Sequence, residues 1–109
     1  MPIQQMFLGL GGAVYTTDLA VAHGNSPYIT VYKWGASGFG PKYSDPSTLP
    51  PADGKEVDFS PDGTAIAIGH NNSPYISVYP WDSGFGTKFS DPSTLPTGTC
   101  DDVAFRPTS

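Results

Sequence analysis

Only one cysteine, Cys100, stands in the 109 residues, so an intrachain disulfide is excluded and a small buried thiol is its ordinary role. Charge is also scarce, at 14% of residues, and the five Lys and Arg against ten Asp and Glu leave a net charge of −5. Such a balance repels phosphate backbones and anionic headgroups, so neither nucleic acid nor a membrane surface is an expected partner. Long hydrophobic runs are missing. The opening MPIQQMFLGLGGAVY has no basic start and its apolar stretch is broken by glycine, so neither a signal peptide nor a membrane span is expected. No window sustains a 3.6-residue apolar period, which leaves no expected helix. Chemistry-bearing motifs are missing too: there is no Ser elbow, HExxH or CxxC, and Gly9-Leu10-Gly11-Gly12 lacks the lysine of a phosphate loop. Asp58, Asp62, Asp101 and Asp102 fall in turns or polar strand positions, where solvation accounts for them. Neither enzymatic activity nor a cofactor or metal is expected.

What the chain does have is turn chemistry and repetition. Thirteen glycines and twelve prolines accompany 38% hydrophobic residues, a composition that favours a loop-rich all-β domain. NSPYITVYKW from Asn25 returns as NSPYISVYPW from Asn72. The match runs from Leu19–Pro50 to Ile66–Pro96, with an offset of 47 residues before one deletion after Trp34 and of 46 after it. Val57-Asp58-Phe59-Ser60-Pro61 also returns, as Val103-Ala104-Phe105-Arg106-Pro107. A period in the forties is the mark of stacked-sheet repeat architectures.

Within one unit, EVDFSP (Glu56 to Pro61) alternates apolar and polar residues and ends in the turn Pro61-Asp62-Gly63. AIAIGH (Ala65 to His70) follows, then the turn His70-Asn71-Asn72-Ser73-Pro74 and a third strand, YISVYPW (Tyr75 to Trp81). FGTKFS (Phe85 to Ser90) reads as a weaker fourth strand, and the prolines of DPSTLPTG mark a loop or an edge. The spacing predicts a four-stranded antiparallel meander, present twice.

VDFSPDGTAIAIGHNNSPYISVYPWD, from Val57 to Asp82, resembles the WD-repeat signature. That resemblance implies β-propeller blades of four strands, with EVDFSP innermost and FGTKFS outermost: blade 1 over about 17–50, blade 2 over about 56–96, and an arm over residues 1–15. Two blades cannot close a ring and expose two apolar faces, so other copies of the chain are the expected neighbours. A trimer would give a six-bladed ring and is favoured over an eight-bladed tetramer. The arrangement is similar to that of small bacterial and fungal propeller lectins built from short chains. Residues 103–107 are expected to complete blade 1 of a neighbouring subunit beside Leu19 to His23, which makes Val103, Phe105, Leu19 and Val21 interface residues.

Ligand candidates follow from the same frame. His23 and His70 are repeat equivalents with Asn25 and Asn72 beside them, and would form a circle able to bind a ligand or metal, the ordinary role of such residues being to satisfy turn backbone groups. The identical Asp45-Pro46-Ser47-Thr48 and Asp91-Pro92-Ser93-Thr94 are functional candidates or simple Asx and Ser/Thr turns. Trp34, Trp81, Tyr32 and Tyr79 could stack on a sugar or fill the space between blades. MPIQQMFLGLGG also resembles the start of short virion proteins of tailed bacteriophages. The expected function is therefore a ring-forming structural or adhesive protein, with a glycan-binding lectin as the alternative.

Overall fold

Val, Ile, Thr and aromatic residues that alternate with small or polar ones form every regular element of the computed structural model, which describes residues 14–107. The strands are β1 (Tyr15–Ala22), β2 (Ile29–Gly35), β3 (Gly38–Lys42), β4 (Gly54–Phe59), β5 (Ala65–His70) and β6 (Ile76–Pro80). They form two three-stranded antiparallel sheets, β1-β2-β3 and β4-β5-β6. No helix among the described residues is long and apolar enough to cross a membrane.

The register places repeat equivalents alike. Leu19 pairs with Tyr32 and Ala20 with Val31 in the first sheet, as Ile66 pairs with Tyr79 and Ala67 with Val78 in the second. Successive side chains alternate across a strand, so each sheet has two distinct faces. The first sheet turns Ala20, Ala22, Ile29 and Val31 toward the second, which answers with Ile66, Ile68, Tyr79 and Trp81. Ile29, Ile66, Ile68 and Tyr79 are fully buried there. The core is thus the seam between two successive repeats, not the interior of either one.

Trp81 organises that seam. Its ring meets Tyr43, Phe59 and Phe85 edge-on at centroid distances of 4.9, 5.5 and 5.1 Å. Such T-shaped contacts set the edge of one ring against the electron-rich face of the other and add to the gain from burial alone. At the end of the seam the Gly54 N–H donates to the His23 carbonyl over 2.9 Å. A Cβ on Gly54 would stand 2.5 Å from the Tyr28 oxygen and 3.0 Å from the Ala22 Cβ, so the close approach of β4 to the first sheet requires glycine.

Three features differ from the sequence expectation. Each sheet has three strands, and the Phe85–Ser90 segment is reduced to one bridge, Trp81 to Phe85, with bonds from Gly86 N–H to Pro80 C=O and Phe89 N–H to Val78 C=O. The physical reason lies at Pro80. A strand residue directs its N–H and C=O to the same neighbour, and proline has no N–H to give that neighbour. In the first sheet Lys33 occupies this position and the corresponding segment is the full strand β3. Second, β1 begins at Tyr15, so the last residue assigned to the arm is part of the sheet, and residues 1–13 lie outside the described residues. Third, Val103–Pro107 carries no strand pairing, and the Phe105 N–H donates to the Asp58 side chain on β4 rather than to a backbone carbonyl. The first sheet has β1 at its edge, where the second has β4.

Truncating Trp81 removes the ring that three others share. Trp81→Ala is expected to cost about 3–5 kcal/mol in denaturant unfolding at fixed protein concentration. The same change at Trp34, in the partly exposed copy of this cluster, is expected to cost the isolated subunit much less.

Candidate functional site

The two histidines serve the repeats themselves. His70 is fully buried, with Nδ1 2.9 Å from the Asn72 carbonyl oxygen and Nε2 3.0 Å from Ser77 Oγ. A carbonyl only accepts, so Nδ1 carries the proton and donates, and the Ser77 hydroxyl donates to Nε2. Both ring nitrogens are engaged by neutral partners, and burial pushes the imidazole below its ordinary 6.5 despite the favourable carbonyl of Asn72. His23 makes the matching contact, with Nε2 2.7 Å from Thr30 Oγ1. In both units the histidine side chain meets a hydroxyl on the strand that follows its turn, Thr30 on β2 and Ser77 on β6.

Asn25 and Asn72 act through their main chain. The Tyr28 N–H donates to the Asn25 carbonyl and the Tyr75 N–H to that of Asn72, each over 2.7 Å, and the histidine N–H closes each turn onto the tyrosine carbonyl at 3.0 Å. Tyr28 and Tyr75 hold left-handed φ values of 73° and 71°, so the same uncommon geometry is built twice. The two Asn side chains are exposed. The Asp-Pro-Ser-Thr loops use an ion pair as well as a turn: Lys42 reaches Asp45, and Lys88 reaches Asp91, each at 2.7 Å. Those lysines were not singled out by the sequence reading, although both lie three residues before their aspartates.

Asp18 is the polar residue that sequence reasoning missed. Its carboxylate accepts the Tyr43 hydroxyl at 2.6 Å and the Trp81 indole N–H at 3.2 Å, which ties the two sheets together through one side chain. A signal was present, because Asp18 and Tyr43 are departures from the repeat: their equivalents are Ala65 and Phe89. Both members of the hydrogen-bonded pair are replaced together. The Tyr43 hydroxyl is pushed up to about 12, first by burial and then by the Asp18 carboxylate. A polar recess of about 340 Å³ opens beside this pair, bordered by Thr17, Lys33 and Ser83.

The remaining candidates divide by face. Trp81 and Tyr79 are 7% and 0% exposed and belong to the seam, with the Tyr79 hydroxyl donating to the Thr48 carbonyl over 2.6 Å. A sugar cannot stack on either ring. Their equivalents Trp34 and Tyr32 lie on the outward face of the first sheet, around Phe39 at 5.0 and 5.1 Å, with Leu19 and Val21. Val21 is 38% and Phe39 62% exposed. On the outward face of the second sheet, Ile76, Val78, Phe89 and Pro92 line a groove of about 290 Å³. Burial is therefore inverted between the repeats. Ile29 and Val31 are covered where Ile76 and Val78 are open, and Ile66 and Ile68 are covered where Leu19 and Val21 are open.

The C-terminal segment lies on that second outward face. The Cys100 N–H donates to the His70 carbonyl at 3.3 Å, and the Phe105 N–H to Asp58 Oδ2 at 2.8 Å. Cys100 packs directly over Gly69, where a Cβ would run into its sulfur. Burial pushes the Cys100 thiol up, away from the reactive thiolate. Val103 borders a neighbouring cavity of about 350 Å³ with Tyr75, Ile76 and Cys100. Among the described residues, no three His, Cys, Asp or Glu side chains converge as a metal-binding group.

No protein family, curated protein or solved structure matches this chain.

Two outcomes are expected from these polar contacts. An imidazole held neutral in the native state binds fewer protons than the unfolded chain, so stability is complete above about pH 6.5 and falls as pH drops below it. Denaturation midpoints measured from pH 7.5 to 5 should decline, and the decline should flatten in His70→Gln. Asp18→Ala orphans a hydroxyl and an indole N–H, with an expected loss of about 1–3 kcal/mol for each group left without a partner. Spectrophotometric titration should then find one tyrosine moved down from about 12 toward 10.

Proposed function

We propose that the chain is a non-enzymatic building block that assembles head to tail with its own copies into a closed ring of propeller-like blades, and works as a structural or adhesive component. The inverted burial of repeat-equivalent residues carries this reading. The outward face of the second sheet presents Ile76, Val78, Phe89 and Pro92, which are the equivalents of Ile29, Val31, Tyr43 and Pro46. Those four are the side on which the second sheet already packs within the chain. The outward face of the first sheet presents Leu19, Val21, Tyr32 and Trp34, the equivalents of Ile66, Ile68, Tyr79 and Trp81, which fill the other side of that seam.

A surface that resembles one half of an existing seam, opposite a surface that resembles the other half, is suited to a heterologous contact that repeats by rotation. Exposed apolar patches of this kind on a small domain favour association. Three copies, giving six sheets, are the favoured closure. The two faces are different, and each resembles the partner of the other rather than of itself, which favours a heterologous contact over an isologous one. The likeness of MPIQQMFLGLGG to short virion proteins makes a phage particle the setting we favour. The alternative, a glycan-binding ring, would rest on Trp34 and Tyr32, since Trp81 and Tyr79 are already enclosed.

Light scattering at micromolar concentration is expected to give an integral multiple of the chain mass, three being favoured. Phe89→Glu, on a ring that is 50% exposed in the subunit, is expected to lower that mass to the monomer while the far-ultraviolet β signal persists. A wild-type monomer under the same conditions would overturn the proposal.

A further inference from the structure

We infer that residues 102–105 of one copy form the missing innermost strand on the β1 edge of the next, in one specific register. This rests on the head-to-tail reading above and supplies its stitching. Three observations place the donor segment. The Cys100 N–H meets the His70 carbonyl as the Gly54 N–H meets that of His23, so residues 100–105 enter over the second sheet by the path that β4 takes over the first. The packing at that entry is reciprocal: Gly54 sits against Ala22, whereas Cys100 sits against Gly69, the larger residue changing sides while the gap stays filled. The Phe105 N–H, fixed on Asp58, holds the segment there.

The acceptor is the edge of β1. Within the chain, β4 pairs with β5 through Val57 opposite Ile68 and Phe59 opposite Ile66. Carrying both strands back through the repeat offsets puts Val103 opposite Val21 and Phe105 opposite Leu19 of the next copy. Main-chain hydrogen bonds would then satisfy an edge that is unpaired among the described residues, as in strand addition generally. The aromatic cluster closes by the same operation. Trp81 has Phe59 from its own innermost strand and Tyr43 from the preceding sheet. Among the described residues Trp34 has Phe39 but neither of the other two, and the donor copy brings both as Phe105 and Phe89. The Tyr79 hydroxyl bond to the Thr48 carbonyl returns as Tyr32 to Thr94 across the interface.

Paired cysteines test the register in a Cys100→Ser background. Val57→Cys with Ile68→Cys is the internal standard and should give an intrachain disulfide. Val21→Cys with Val103→Cys should give interchain disulfides under mild oxidation, as a ladder in denaturing gels whose top rung counts the subunits of the ring. Val21→Cys with Ala104→Cys should stay uncrosslinked, because a one-residue slip sends the side chain to the other face. Independently, Phe105→Ala should raise the concentration for half-dissociation by about tenfold or more without loss of the subunit's β signal. An intrachain Val21 to Val103 disulfide, or an intact oligomer that neither crosslinks nor responds to Phe105→Ala, would overturn the strand exchange and leave the ring standing. A wild-type monomer would remove the ring as well.

Discussion

The seam between the first and second sheets is the contact on which the rest of the molecule depends. Ile29 and Val31 on one side and Ile66, Ile68, Tyr79 and Trp81 on the other bury one another, while neither sheet has an apolar interior of its own. A three-stranded sheet has little stability until one face is covered. Here each sheet is the cover of the other. The polar features follow from that constraint: Asp18 satisfies the Trp81 indole where it enters the seam, and the Thr48 carbonyl satisfies the Tyr79 hydroxyl.

A seam made from one repeat packed on the next necessarily leaves two unused halves. The described residues form two sheets and one seam, so within them each sheet keeps one apolar face outward. Those faces are not identical, and each resembles the half of the seam that the other would need. Repeat proteins have this property in general, because stability comes from the interface between neighbours more than from any single unit. In the proposed ring the same interaction recurs between chains, with Phe89 in the place of Tyr43 and without an equivalent of Asp18. The seam within the chain therefore carries a polar tie that the one between chains would lack.

Much of the fold was legible in the residues. The strands at Ala65–His70 and Ile76–Pro80 follow the alternation of AIAIGH and YISVYPW, and the double occurrence of NSPY marks a turn that is built identically at Tyr28 and Tyr75. The fourth strand at Phe85–Ser90 was less legible. Its own alternation is adequate, and the decisive residue is Pro80 on the neighbouring strand, which withholds a donor. Asp18 was overlooked for a related reason. Nothing local distinguishes it from a solvated strand residue, and only its pairing with Tyr43, 25 residues away, gives it a role.

Sequence by itself determined the all-β class, the duplication, the turn positions and the absence of familiar catalytic motifs, because alternation, turn residues and repeat offsets are properties of neighbours along the chain. Which copy of each repeated residue is buried was decided only by tertiary structure. Ile29 and Ile76 have the same local sequence, yet one is fully covered and the other lines an open groove. His70 and Trp81 likewise read as candidates for binding until their side chains were placed inside the seam. Burial is a property of what lies across a face, and a chain that repeats itself specifies both copies alike while its folding covers one face of each.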